Sequence, residues 1–146
     1  MSGFLYHAGE GERLAMGASE VVIKATGEDT GGSFFVAELS LEAGFPGPPR
    51  HFHKRLHETV YVLDGELTMI LGDEVAVLGP AGFASIPPGV VHTFRNDSAR
   101  LARALNINAP AGWEHYLREL AAAANRGGLT PALMAEIASR HDFHPA

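Results

Sequence analysis

The chain has 146 residues, eight histidines and no cysteine, and its 11 Lys and Arg against 17 Asp and Glu leave a formal net charge of −6. The length fits one domain, 1–146, with a core of its own, and the missing thiols exclude disulfides, a cysteine nucleophile and thiolate metal ligands. The acidic balance excludes the basic surface that nucleic acid needs, and no apolar run of about 18 residues is present to span a membrane. With no basic segment leading into an apolar one at the start, a cytoplasmic protein is expected.

Short apolar runs rich in Val, Leu, Ile, Phe and Thr predict strands at 21–24, 34–41, 59–63, 66–71, 75–78, 83–86, 91–96 and 101–108. Gly31-Gly32 and Gly79-Pro80-Ala81-Gly82 punctuate them. Asp64-Gly65, lying directly between two runs, predicts a two-residue type I′ hairpin. Pro88-Gly89 suits the centre of a type II turn, with Pro presetting φ and Gly taking the positive one. Many short strands so punctuated predict an antiparallel sandwich or barrel over about 20–108. Beyond Ala109-Pro110-Ala111-Gly112 the spacing of Trp113, Leu117, Leu120, Ala121 and Ala124 predicts a helix that stops at Gly127-Gly128. Thr130 as N-cap and Pro131 behind it open a second helix to about 140, with Leu133, Met134 and Ile137 on its apolar side. Two such short helices are expected to pack on the β-domain or on a partner subunit.

His51 and His53 stand two apart. In an extended segment they share one face, about 7 Å apart along the strand, close enough to converge on one ion. Glu58 opens the next apolar run, and His92 follows the Pro87-Pro88-Gly89 turn. Three imidazoles and one carboxylate make an all-nitrogen-and-oxygen site with open positions for Fe, Mn, Ni, Co, Cu or Zn as the divalent ion. One ambiguity is local. His57 has the parity of His51 and His53, so an unbroken strand would turn His57 inward, whereas a turn at Lys54-Arg55-Leu56 would reset the alternation and turn Glu58 inward.

Two motifs give these residues a family resemblance. From Gly44 to Gly65 the chain reads GFPGPPRHFHKRLHETVYVLDG, with His51-x-His53, four residues, Glu58, six residues and Gly65. From Gly82 to Asn96 it reads GFASIPPGVVHTFRN, with Pro87-x-Gly89, two residues, His92, three residues and Asn96. The segment resembles a cupin over about 34–108, although Gly44 falls one residue early and Gly82 one residue close. The resemblance implies an all-β, antiparallel jelly-roll barrel with a short C-terminal helical tail at about 113–140. It also implies His51, His53, Glu58 and His92 as metal ligands, which resolves the local ambiguity toward Glu58.

If Glu58 faces inward, Val60 and Val62 share its face, and Phe94 and Asn96 share that of His92. Val60 and Phe94 are the candidate substrate-binding walls, and Val62 reads as core. Arg103, in the alternation Leu101-x-Arg103-x-Leu105-x-Ile107, lies on the apolar side of its strand, as an internal cation or an edge residue. Arg50, Lys54 and Arg55 read as a solvated turn, His115 and Tyr116 as helix-surface residues able to cap a barrel mouth. His7, His141 and His144 carry no expected role.

The resemblance extends to small quercetinase-like dioxygenases. It implies a metal-dependent enzyme acting on a small organic substrate with an enol oxygen, with dioxygen as co-substrate and Glu58 as ligand and general base. The same ligand set serves isomerases and lyases, and a non-catalytic binding module is the alternative from another class, because fold alone does not fix chemistry. Open sheet edges need cover, so a homodimer is expected.

Overall fold

The computed structural model describes residues 2–146. Among the described residues, eleven strands form two antiparallel sheets. The first holds six, β1 (Glu12–Ala15), β2 (Ser19–Ala25), β3 (Phe35–Leu41), β10 (Ala102–Ala109), β5 (His57–Asp64) and β8 (Phe83–Ile86), in that spatial order. The second holds β11 (His144–Pro145), β4 (His51–Phe52), β9 (His92–Arg95), β6 (Leu67–Leu71) and β7 (Glu74–Leu78). No ladder joins their edges among the described residues, so the jelly roll is an open sandwich rather than the closed barrel expected. Two of its strands, β1 and β11, come from outside 20–108.

Alternation builds the core. On β3 the residues Phe35, Ala37, Leu39 and Leu41 are buried, and on β5 Glu58, Val60 and Val62 are. β10 departs from its apparent pattern. Its inward residues are Ala102, Ala104, Asn106 and Asn108, while Arg103, Leu105 and Ile107 face out. Arg103 is therefore no internal cation: its guanidinium pairs with Glu38 on the outer face of β3. The larger residues face outward because Asn106 and Asn108 occupy the inner face, bonded to each other (Asn108 Nδ2 to Asn106 Oδ1, 3.1 Å).

The Asp64-Gly65 hairpin is also corrected. β5 and β6 lie in different sheets, and Gly65 carries the chain between them. Its φ of +74° and the Leu101 carbonyl, which a Cβ would approach to 2.4 Å, demand glycine here for crossover rather than for a two-strand turn. Pro88-Gly89 does form its turn, with Val90 N donating to the Pro87 carbonyl (3.3 Å) and Gly89 at φ +86°.

A short helix, α1 (Gly27–Thr30), follows β2. Helix α2 (Trp113–Arg126) buries Tyr116, Leu117 and Leu120 against the sandwich. The Thr130 hydroxyl caps α3 (Pro131–Ala138) by accepting from Leu133 N (3.1 Å). The buried Glu114 carboxylate ties the start of α2 to α1, accepting from Gly112 N and Gly27 N at 2.8 Å each. No helix among the described residues is long and apolar enough to cross a membrane.

Candidate metal centre

His51 on β4 pairs across the ladder with His92 on β9, so two imidazoles stand side by side. His53 follows just beyond β4. Residues 54–56 then bend, and the alternation restarts on β5. Glu58 consequently turns inward and is 4% exposed, while His57 turns out and places Nε2 2.9 Å from Ser85 Oγ. The bend is what separates their fates, since unbroken pleating would have reversed them.

All three imidazoles are oriented alike. Each Nδ1 meets a main-chain carbonyl: His51 that of Pro49 (2.8 Å), His53 that of Asp142, His92 that of Val90 (2.9 Å). A carbonyl only accepts, so each Nδ1 carries the proton and each Nε2 keeps its lone pair. The three rings bring one nitrogen each within 4.8 Å of one another. Glu58 Oε1 lies 3.4 Å from His92 Nε2, and Oε2 lies 3.8 Å from His53 Nε2. Among the described residues, His53 Nε2, His92 Nε2 and Glu58 Oε1 are buried with no hydrogen-bond partner.

Buried polar atoms left unmet cost about 1–3 kcal/mol each, and here the unmet atoms are lone pairs converging on one point. A divalent transition ion meets that demand, and the carbonyl-anchored imidazoles are the arrangement that holds one. The donor set therefore fits a metal.

The electrostatics agree. Burial pushes His51 down to about 4, with His92 and His53 adding to the effect, and burial lowers His53 as well. Burial raises the Glu58 carboxyl, but His92 and the other two imidazoles outweigh it and hold it below the usual carboxylate range. At His92 burial works downward, and the Glu58 carboxylate beside it pulls the proton on by more. A cation in the cluster takes over the charge that Glu58 otherwise draws onto His92.

Beside the cluster lies a cavity of about 300 Å³ between the sheets and α2. His51 and Glu58 reach one end of it; Val60, Phe45 and Phe94 form walls, and Trp113 and Tyr116 of α2 form the roof. No Lys or Arg among the described residues lines it. Phe94 stacks on Phe45 with centroids 6.2 Å apart.

Residues 37–108 match the family model of the cupin domain. The chain carries a cupin domain. Over 99 residues this cupin is 38% identical to the quercetin 2,3-dioxygenase of Bacillus subtilis (strain 168), a match covering 66% of the chain. It spans only 28% of that relative's length. Among solved structures, it is similar to a cupin-superfamily sugar phosphate isomerase from Silicibacter pomeroyi (26% identity, TM-score 0.57, 64% of this chain and 60% of that one). It also resembles KdgF from Halomonas sp. (16% identity, TM-score 0.67, 78% of this chain and 99% of that one), a likeness of fold alone.

Of the residues singled out in the sequence, the cupin brings together His51, His53, Glu58 and His92, with Val60 and Phe94 on the cavity wall. Val62 is core, fully buried away from the cavity. Asn96 is no wall: its amide binds the Leu41, Glu42 and Arg100 carbonyls. His115 is exposed, whereas Tyr116 is buried over the cavity and its phenol is pushed up to about 12 by burial. Arg50, Lys54 and Arg55 are solvated as expected. Sequence reasoning took Trp113, edge-on to His53 at 5.0 Å, only as a helix position, gave His141 and His144 no role, and did not single out Asp142 or Phe143. That dense quartet after the last helix was the available signal.

Proposed function

We propose that this chain is a metal-dependent enzyme acting with dioxygen on a small, uncharged, largely apolar substrate that presents an enol or hydroxyl oxygen. His51, His53, His92 and Glu58 hold the metal. The observation that carries this is the cluster of unpartnered His53 Nε2, His92 Nε2 and Glu58 Oε1, buried beside an aromatic-walled cavity that Glu58 itself lines. When bound, the metal supplies a Lewis acid to the substrate oxygen and a redox centre.

The chain's own residues do the rest. Phe94 and Val60 bind the substrate's apolar body and exclude water. Trp113 and Tyr116 close the cavity from above. The Glu58 carboxylate, held ionised, takes the hydroxyl proton of the substrate as its oxygen becomes anionic. Similarity to the Bacillus subtilis dioxygenase supports the oxidative reading. Likeness to a sugar phosphate isomerase supports the alternative, but a phosphorylated sugar calls for cationic or dense polar contacts, and the cavity has no Lys or Arg.

Protein loaded in turn with Fe(II), Mn(II), Ni(II), Co(II) and Cu(II) is incubated with flavonol, diketone and catechol-type compounds in an oxygen electrode. Oxygen uptake with at least one pair, abolished by Glu58→Gln, is expected. Saturable binding of these compounds without uptake under any metal assigns the protein to the non-catalytic binding class. Isomerised product without uptake assigns it to the isomerases.

A further inference from the structure

We propose that Asp142 and Phe143 are positioning residues of the metal centre, setting the orientation of two of its three imidazoles. The inference rests on reading the cluster as a metal site, and not on which reaction follows.

The segment is laced onto the strand that carries the histidines. His144 and Pro145 pair with Phe52 and His51, and Ala146 N donates to the Arg50 carbonyl (3.0 Å). The Asp142 carboxylate accepts from Lys54 N (2.7 Å), Arg55 N (2.9 Å) and Leu56 N (3.0 Å). It thus holds the bend that turns Glu58 inward. The Asp142 carbonyl accepts from His53 Nδ1, which fixes that ring's tautomer and aims its Nε2 at the cluster. Phe143, 6% exposed, lies flat against His51, with centroids 4.1 Å apart and planes 9° apart. Phe143 also stacks on Tyr116 with centroids 5.7 Å apart, so it links the packing of α2 to the His51 ring. His141 Nε2 and Arg140 meet Glu119 of α2, which ties the segment's near end to the same helix.

The geometry goes beyond ordinary packing in one respect. A segment serving only to cover apolar surface needs neither a carbonyl on His53 Nδ1 nor a ring stacked parallel on His51. Both contacts act on ring orientation, and a ligand's affinity depends on that orientation.

The test uses the full chain, stripped with chelator and titrated with Co(II), followed by its visible absorption and by calorimetry. Wild type is expected to take one equivalent. Phe143→Leu, which keeps apolar bulk without a plane, and Asp142→Ala are each expected to weaken Co(II) binding about 10–100-fold and to shift the visible bands. Phe143→Tyr keeps the stack and is expected to stay within about threefold of wild type. Leu133→Ala, on α3 and outside both the cluster and the cavity lining, is the control for lost stability: it should lower the melting temperature and leave affinity and spectrum alone. Wild-type affinity and spectrum in both Phe143→Leu and Asp142→Ala overturn the proposal, as does an equal loss of affinity in Leu133→Ala. Failure of wild type itself to bind Co(II), Ni(II) or Zn(II) overturns the reading of the cluster as a metal site, and the proposal with it.

Discussion

Glu58 Oε1 stands 3.4 Å from His92 Nε2, and neither atom has a hydrogen-bond partner among the described residues. The fold holds a carboxylate and an imidazole face to face, and without a metal the carboxylate draws a proton toward His92. Metal-free protein is therefore expected to gain stability from any ion that binds both. At free metal a thousandfold above Kd the gain is about 4 kcal/mol, or roughly 10 °C in melting temperature for a chain of this size. Thermal melts with and without Ni(II) or Zn(II) measure it. His92→Ala should abolish the shift, and its persistence in that variant would remove His92 from the ligand set.

His57 differs from its neighbour by one position and by nearly all its exposure. Its ring bonds Ser85 Oγ on the outer face, so His57→Ala is expected to leave metal content per chain unchanged and to alter stability by about 0.5 kcal/mol. Elemental analysis of His57→Ala beside His51→Ala decides between them: metal should disappear only from the second.

Val60 lines the cavity at one residue's remove along the face from Glu58. Val60→Phe fills space that substrate would take without touching a ligand atom. Metal content should match wild type, while KM for the best substrate of the oxygen-uptake panel rises by about tenfold, equivalent to about 1.4 kcal/mol of lost binding. An unchanged KM places the substrate elsewhere.

Two glycines in one loop separate sterics from backbone strain. Gly44 and Gly47 have φ of +77° and +78°, but a Cβ on Gly44 meets open space, while one on Gly47 would fall 1.7 Å from the Phe94 carbonyl oxygen. Gly44→Ala should cost about 1 kcal/mol, and Gly47→Ala at least about 3. Denaturant titration reads the difference, which also reports how tightly this loop is pressed onto β9 beside His92.

Helix α2 is fastened to β1 by a surface pair: Arg118 donates from Nε (2.9 Å) and Nη2 (2.7 Å) to the two oxygens of Glu12. Hydrogen bonding by Arg118 holds the Glu12 carboxyl below its usual range against a smaller opposing effect of burial. A carboxyl lowered on folding stabilises fully above its unfolded value, and that contribution fades as pH falls through the folded one. Both groups are more than a third exposed, so the expected size is under about 1 kcal/mol. Glu12→Gln should therefore destabilise slightly at pH 7, and the gap to wild type should close as pH falls through the lowered folded value of the carboxyl, or in high salt. A gap that widens on acidification would show that the pair is not what holds α2.

Patterns confined to a few consecutive residues were legible without coordinates. His51-x-His53, the later His92 after its Pro-Gly turn, the Thr130-Pro131 helix start and the strands of the central segment all follow from spacing, since side-chain direction and turn chemistry are local. Glu58 was legible through the family's spacing and through the charged turn at Lys54-Arg55-Leu56, which resets a pleat alternation that, unbroken, points to His57.

Facing and partnership were not legible. The bulky alternation Leu101-x-Arg103-x-Leu105-x-Ile107 read as an inner face, yet it is the outer one. Burial belongs to whichever side meets the opposite sheet, and β10 turns Asn106 and Asn108 that way. Asp64-Gly65 had the chemistry of a hairpin, but Gly65 is packed against the Leu101 carbonyl, some three dozen residues along, and the chain changes sheets there. The sequence by itself determined which groups were available to bind an ion: eight imidazoles, no thiol and a carboxylate at a matching interval. Only tertiary structure decided how two of the chosen three are held. The carbonyl that orients His53 lies 89 residues away, at Asp142, and the ring on His51 is its neighbour Phe143. No short-range pattern encodes such contacts, because they exist only once the β11 segment has folded back across the sandwich.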